Sequence, residues 1–241
     1  MSLLPGEIHS SWNNFLTSDI LALLDSIEKF LGDTDYNPGK ERVLRFLHTD
    51  LEALKIVILG QDPYPEKGVA VGRAFEVGGL KSWNEPFRQV SLKNIMRLIY
   101  KTQKGIEVYA EIPVFSQIAK EIKLGEFIID DPPALFEHLE EQGVLFLNTC
   151  LTVFPGRPLS HQMIWQPFTE KLLDFISRQK PELFWFLWGK NAQSFKPFIY
   201  KGIFYECRHP MMCSSKYADD FLKSQCFKNT MGIVNWTGKC K

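Results

Sequence analysis

Within five residues the chain presents Gly60-Gln61-Asp62-Pro63-Tyr64, an amide, a carboxylate and a phenol gathered around a rigid proline. Two further polar side chains follow apolar runs: Asn148 closes Val144-Leu145-Phe146-Leu147, and His209 comes shortly after Ile203-Phe204-Tyr205-Glu206. An amide can donate and accept at once, a carboxylate can orient water or balance a cation, and an imidazole can donate to a developing anion. Such an Asp/Asn/His cluster fits a hydrolase, a nucleotide binder or a metal site. No Gly-x-Ser-x-Gly elbow supports a nucleophilic triad. No P-loop is present, and no GxGxxG follows the first apolar run. Neither histidines nor carboxylates pair at metal-ligand spacing, and His9, His48 and His138 read as ordinary surface or core residues.

Those side chains need elements to bring them together. Ile56-Val57-Ile58-Leu59 is uniformly apolar, the pattern of a strand buried on both faces. Val144–Leu147 repeats it, Leu183–Trp188 is a third apolar strand that ends at Trp188-Gly189 without a polar group, and Ile203–Glu206 is a fourth. Between them lie helical patterns. The periodicity predicts an amphipathic helix over Trp12–Phe30, a turn over Gly32–Gly39 and a short helix over Lys40–Leu47. Trp83–Val90 reads as a surface loop, and Ser91 as the N-cap of a helix over Leu92–Tyr100. Further helices are expected over Val114–Ile122, from the Asp131 cap with Pro132 and Pro133 to Gly143, over Gln166–Arg178, Asn191–Tyr200 and Ala218–Phe227, with Ile233–Trp236 packing down. Alternation of this kind predicts an α/β fold, a central four-stranded parallel sheet flanked by helices on both faces as a three-layer αβα sandwich. In a parallel sheet the strand ends share one edge, so Gln61, Asp62, Asn148 and His209 should converge there.

At 241 residues the chain has the size of one α/β domain, taken here as residues 1–241. With 28 basic and 28 acidic residues it has zero net charge, so a nucleic-acid surface has to come from local placement. Five cysteines, Cys150, Cys207, Cys213, Cys226 and Cys240, form no CxxC, which favours reduced thiols in a cytoplasmic or nuclear setting. No leader-like segment or membrane-length apolar run is apparent.

The motifs themselves carry a resemblance. Gly60-Gln61-Asp62-Pro63-Tyr64, Phe75, Leu147-Asn148-Thr149 with Leu151-Thr152-Val153, Ser160-His161, Leu187-Trp188-Gly189 and His209-Pro210 resemble, in order and spacing from Trp12 to Trp236, the family-one uracil-DNA glycosylases. The resemblance implies base-excision repair by hydrolysis of uracil from DNA, with base flipping and no metal or organic cofactor. It implies that Phe75 stacks on the flipped base, and that Asn148 reads uracil's O4 and N3–H with Gln61 beside it. Tyr64 would wall off the thymine methyl, Asp62 would orient water and stabilise the cationic sugar, and His209 would donate to O2 as a neutral imidazole. The implied partner is uracil-containing DNA, single- or double-stranded, with a protein inhibitor or repair factors as further candidates. A monomer without membrane association is expected.

Three departures stand out. Pro65 occupies the place of a usual histidine, although some poxviral members also carry proline there. The proline-rich loop shrinks to Glu85-Pro86-Phe87-Arg88-Gln89-Val90. Met211-Met212-Cys213 replaces the Ser-Pro-Leu whose leucine fills the gap left by the flipped base, placing Cys213 at the leucine position and leaving Met211 or Met212 as substitutes. Ser91 and Ser214 are the candidate phosphate contacts, with Arg208 and Lys216 as charge partners. Two other readings stay open: a DNA-binding protein on the same scaffold with weak or no activity, and a glycosylase for another damaged base.

Overall fold

The computed structural model describes residues 2–238; Cys240 lies outside them. Four parallel strands, β1 (Ile56–Gly60), β2 (Val144–Asn148), β3 (Phe184–Trp188) and β4 (Ile203–Cys207), form one sheet in the order β2-β1-β3-β4. The central strand β1 is buried along its whole length, as its unbroken apolar run requires. Alternate residues feed two separate cores. Val57, Leu59, Leu145, Leu147, Trp185 and Leu187 face the layer of α1 (Ser18–Leu31) and α5 (Gln162–Gln179). Ile56, Ile58, Val144, Phe146, Phe186 and Trp188 face α2 (Val90–Lys104), α3 (Phe115–Leu124), α4 (Pro132–Glu141) and α7 (Cys226–Thr230). The expected three-layer sandwich is therefore observed.

Several boundaries differ from the expectation, each for a local reason. Helix α1 starts at Ser18 rather than Trp12, because Thr17 sits at its N-cap with its hydroxyl 3.5 Å from Ile20 N. Trp12 and Phe15 are core residues of the preceding segment instead, Trp12 donating from Nε1 to Thr49 O at 2.8 Å. The helix expected over Lys40–Leu47 is two 3-10 turns, Lys40–Arg42 and Arg45–His48. Helix α2 begins at Val90, so Ser91 is its second residue and Gln89 occupies the cap. Helix α5 begins at Gln162, with Pro167 in its second turn. After α6 (Lys190–Ser194), Pro197 lies in a separate 3-10 turn, and the helix expected to Tyr200 ends early. Asp220 caps Leu222 N at 2.9 Å, so Ala218–Phe227 becomes a 3-10 turn, Phe221–Lys223, before α7. Trp83–Val90 is not simply a surface loop: Trp83 is 1% exposed and donates from Nε1 to Asp130 O at 2.8 Å.

The strand order also fixes where a ligand can enter. From β1 the chain moves outward to β2 and then returns across β1 to β3 and β4. The connections after β1 and β3 thus leave in opposite directions, opening a crevice at their carboxyl ends.

Candidate active site

The register of β1 and β2 builds the floor of that crevice. Gly60 lies directly opposite Asn148, and a Cβ at Gly60 would collide with Asn148 Oδ1 and with Ala74 Cβ. Only glycine leaves room for the carboxamide there. The ladder then continues past both strand ends. Thr149 N donates to Gly60 O and Cys150 N to Gln61 O, each at 2.9 Å. Thr149 Oγ1 lies 2.8 Å from Gln61 O, and Thr169 on α5 donates to Thr149 O at 2.7 Å. The backbone carrying Gln61 and Asp62 is tied in this way to the neighbouring strand and its following helix. Asn148 is 6% exposed, and no protein group engages its carboxamide among the described residues.

Asp62 is aimed by two donors. Leu159 N, from the loop between β2 and α5, donates to Oδ2 at 2.7 Å, and Gln61 Nε2 donates to Oδ1 at 3.1 Å. Tyr64 is half-buried, and burial pushes its phenol above the usual value, so it stays protonated. Its hydroxyl points to Phe75 O at 3.4 Å. Phe75 has φ of 67°, a left-handed conformation that bulky side chains rarely adopt. Its ring lies 5.5 Å from that of Trp188 and 6.2 Å from that of His209.

His209 follows β4. Its Nδ1 accepts from Met211 N at 3.1 Å, which places the proton of the neutral ring on Nε2. Burial holds its pKa below the ordinary 6.5. Both facts favour a neutral imidazole with one N–H to offer. Gly189, at φ of 89°, lets the chain turn beside it; a Cβ there would come within 2.8 Å of His209 Cβ.

Gln61, Asp62, Tyr64, Phe75, Asn148 and His209 all line one cleft of about 630 Å³, joined by Ser91, Met211 and Met212. Cys213 and Ser214 are not among its lining residues. Cys213 packs against the α2-side core with Sγ 3.6 Å from Pro210 O, and burial pushes its thiol up to about 12. Ser214 N is held by Asp220 Oδ2 at 2.6 Å. Met211 and Met212 instead stand 57% and 70% exposed at the mouth. Arg208 is not a spare cation: its Nε bonds Asp219 Oδ1 at 2.8 Å and its guanidinium stacks 3.6 Å from the Tyr217 ring centroid. Lys216 is exposed.

Several polar residues of the cleft escaped the sequence reading, among them Arg73, Gln193 and two at the start of α6. Lys190 and Asn191 line it from the start of α6, Asn191 Oδ1 lying 3.1 Å from Thr149 Oγ1. The third strand does contribute polar groups, but only after Gly189 has turned the chain. The glycine itself was the available signal. Pro65 lies at the rim, its carbonyl accepting from Asn37 Nδ2 at 2.9 Å and from Gly156 N at 3.0 Å. His161 is not in the cleft: it is 1% exposed, with Nδ1 2.8 Å from Thr152 Oγ1, and burial lowers its pKa.

Comparison with known proteins adds one family model, two relatives and three solved structures. Residues 47–231 match the family model of the uracil DNA glycosylase superfamily. A uracil-DNA glycosylase of Azotobacter vinelandii is 33% identical over 78% of this chain and 67% of its own length. One from Azobacteroides pseudotrichonymphae is 29% identical over 97% and 96%. Among solved structures, the wild-type UNG of Nitratifractor salsuginis superposes with a TM-score of 0.70 at 20% identity, covering 97% of this chain and 94% of its own. Mimivirus uracil-DNA glycosylase gives 0.68 at 20%, covering 99% and 86%. A mimivirus UNG variant solved in complex with UGI gives 0.61 at 21%, covering 86% and 71%.

Proposed function

Because this chain belongs to the uracil DNA glycosylase superfamily, we propose that its cleft receives a flipped uracil from DNA and hydrolyses its N-glycosidic bond. The observation that carries this reading is the floor, where an unengaged carboxamide lies over a glycine that leaves it room. The Asn148 amide accepts from N3–H and donates to O4, a pattern that cytosine reverses. Phe75 supplies the stacking face, and the Tyr64 ring occupies the space a thymine methyl would need.

The chemistry then divides between two side chains. As the C1′–N1 bond breaks, N1 keeps the electron pair and the sugar becomes cationic. Asp62, held by Leu159 N and Gln61 Nε2, stabilises that cation and orients the water whose oxygen bonds to C1′. His209 Nε2–H donates to O2 as the base becomes an anion, a preorganised donor contributing about 3 kcal/mol to the transition state. Water supplies the atoms that complete both products, an abasic sugar and free uracil.

DNA is the partner assigned here. Exposed Met211 and Met212 lie where a side chain could enter the gap left by the base, while Cys213 faces the core. Lys190 at the start of α6 and Ser91 in the first turn of α2 are the candidate phosphate contacts at the rim. A protein inhibitor is a further candidate partner, given the UGI complex of the mimivirus variant.

The direct test is a uracil-containing oligonucleotide incubated with the protein and then heated in alkali. Strand cleavage at the uracil is expected for the parent, and a loss of about a hundredfold or more for Asp62→Asn. Binding without cleavage in the parent would leave a DNA-binding scaffold in place of an enzyme.

A further inference from the structure

The backbone of Phe75 is left-handed, a conformation that persists in a bulky residue only where its surroundings over-determine it. The surroundings here are unusual. Arg73 precedes the ring by two residues and Glu76 follows it by one, with side chains only 9% and 12% exposed. Arg73 Nη1 donates to Glu76 Oε2 at 3.0 Å, closing a charged link around Phe75. The same guanidinium reaches Glu140 on α4 through Nε at 3.1 Å and through Nη2. Arg45 joins through Nη2, 3.4 Å from that Glu140 oxygen, which brings the group to two cations and two carboxylates.

A buried ion group is weak evidence for stability, because desolvation offsets much of the attraction; its better-attested use is to specify one geometry. The geometry specified here is that of residues 72–76. A Cβ on Gly72 would collide with the Arg42 carbonyl, and Ala74 N donates to Phe146 O at 3.2 Å. Phe75 is then the residue left to be oriented, with its carbonyl beneath the Tyr64 hydroxyl. Arg73 also lines the substrate cleft, so the charged link borders the space the base would occupy.

We propose that Arg73, Glu76 and Glu140 form a positioning clamp that fixes the Phe75 ring, so that affinity for the flipped base depends on charges with no part in bond cleavage. The proposal rests on the reading of Phe75 as the stacking face. These are positioning residues acting through Phe75, and their loss falls on substrate and product affinity more than on turnover.

A double-mutant cycle on the full chain tests it, reading kcat and KM on a uracil-containing single strand and inhibition by free uracil. Arg73→Met keeps most of the stem and removes the charge. It is expected to raise KM and weaken uracil inhibition about tenfold each, with kcat changed by less than about threefold. Phe75→Ala is expected to weaken the same two quantities, and the double mutant to be no weaker than Phe75→Ala alone. Arg73→Lys retains the charge without the fork and should fall between parent and Arg73→Met. Should Arg73→Met fail to fold by thermal melting, Glu140→Gln gives the same readouts with the side-chain shape preserved. Unchanged uracil affinity in folded Arg73→Met, or losses that multiply in the double mutant, would overturn the clamp. Parental affinity in Phe75→Ala would instead remove the stacking reading itself, and the clamp with it.

Discussion

Asn148 and Met212 stand at opposite extremes of one cleft. Asn148 is 6% exposed, on a strand paired along its length, with hydrogen bonds continuing through Thr149 and Cys150 beyond the strand end. Met212 is 70% exposed on a loop that touches the body through fewer ties. Asn94 Nδ2 donates to Pro210 O at 2.6 Å, steadied by Arg97 Nη1 at 3.0 Å, and Asp220 holds Ser214 N. The part proposed to face the base is thus shaped by the sheet, where a shift of tenths of an ångström changes which hydrogen bonds form. The part proposed to face the DNA is a loop whose backbone is tied at Pro210, Met211, Met212 and Ser214 while the Met211 and Met212 side chains project outward, unbranched and able to adapt to a stacked surface. Discrimination needs the first kind of construction, and gap filling tolerates the second.

Breaking the chemistry at the rigid end should produce the largest effect. His209→Leu removes the Nε2–H proposed to donate to O2 and is expected to lower uracil release by about a hundredfold or more, with little change in thermal stability. In the parent, the neutral ring is complete at ordinary pH, because burial places its folded pKa below 6.5. Activity that depends on His209 should therefore fall only as pH drops through that lowered value. The same sign governs stability. The unfolded chain binds protons to His209 and His161 more readily than the folded one, so stability present above 6.5 is lost as pH falls from there toward the folded values. A pH–rate profile and pH-dependent melting check both; an acid limb that persists in His209→Gln belongs to another group.

Disturbing the floor without touching a reacting group comes next. Gly60→Ala should displace the Asn148 carboxamide and cost about a hundredfold or less in kcat/KM, the scale of an ångström-level misplacement. Retained activity there would mean the base does not sit over Gly60.

The smallest effects belong to the loop, and they sharpen the contrast. Met212→Ala should slow release from duplex DNA several-fold, about 1 kcal/mol of lost insertion, and leave single strands nearly unaffected. Cys213→Leu should not rescue duplex activity, because the side chain faces the α2-side core and overpacking there costs about 1–3 kcal/mol of stability. Single-turnover rates on both substrates decide this. A gain on duplex from Cys213→Leu would return the wedge to the leucine position.

Much of this molecule was legible in its residue order. Unbroken apolar runs are buried because nothing else accommodates them, so β1, β2 and β3 were legible from pattern, whereas the edge strand β4, with Ile203 and Glu206 exposed, followed from the alternation of elements that also announced the parallel sandwich. Glycine, proline and polar residues at strand ends likewise announced, before any coordinate, that Gln61, Asp62, Asn148 and His209 would gather in one cleft. Helix limits were less legible where a cap or proline overrode the periodicity, as at Thr17 and Pro197. What only tertiary structure decided were relations between distant segments: Leu159 N on Asp62, Lys190 and Asn191 swung into the cleft by Gly189, and Cys213 turned inward while its neighbours face out. The Arg73–Glu76–Glu140 group belongs with these, since charges at positions 73 and 140 carry no local sign that they will meet. Local pattern reports what a residue must bury, and contact between remote segments is settled only when the whole chain packs.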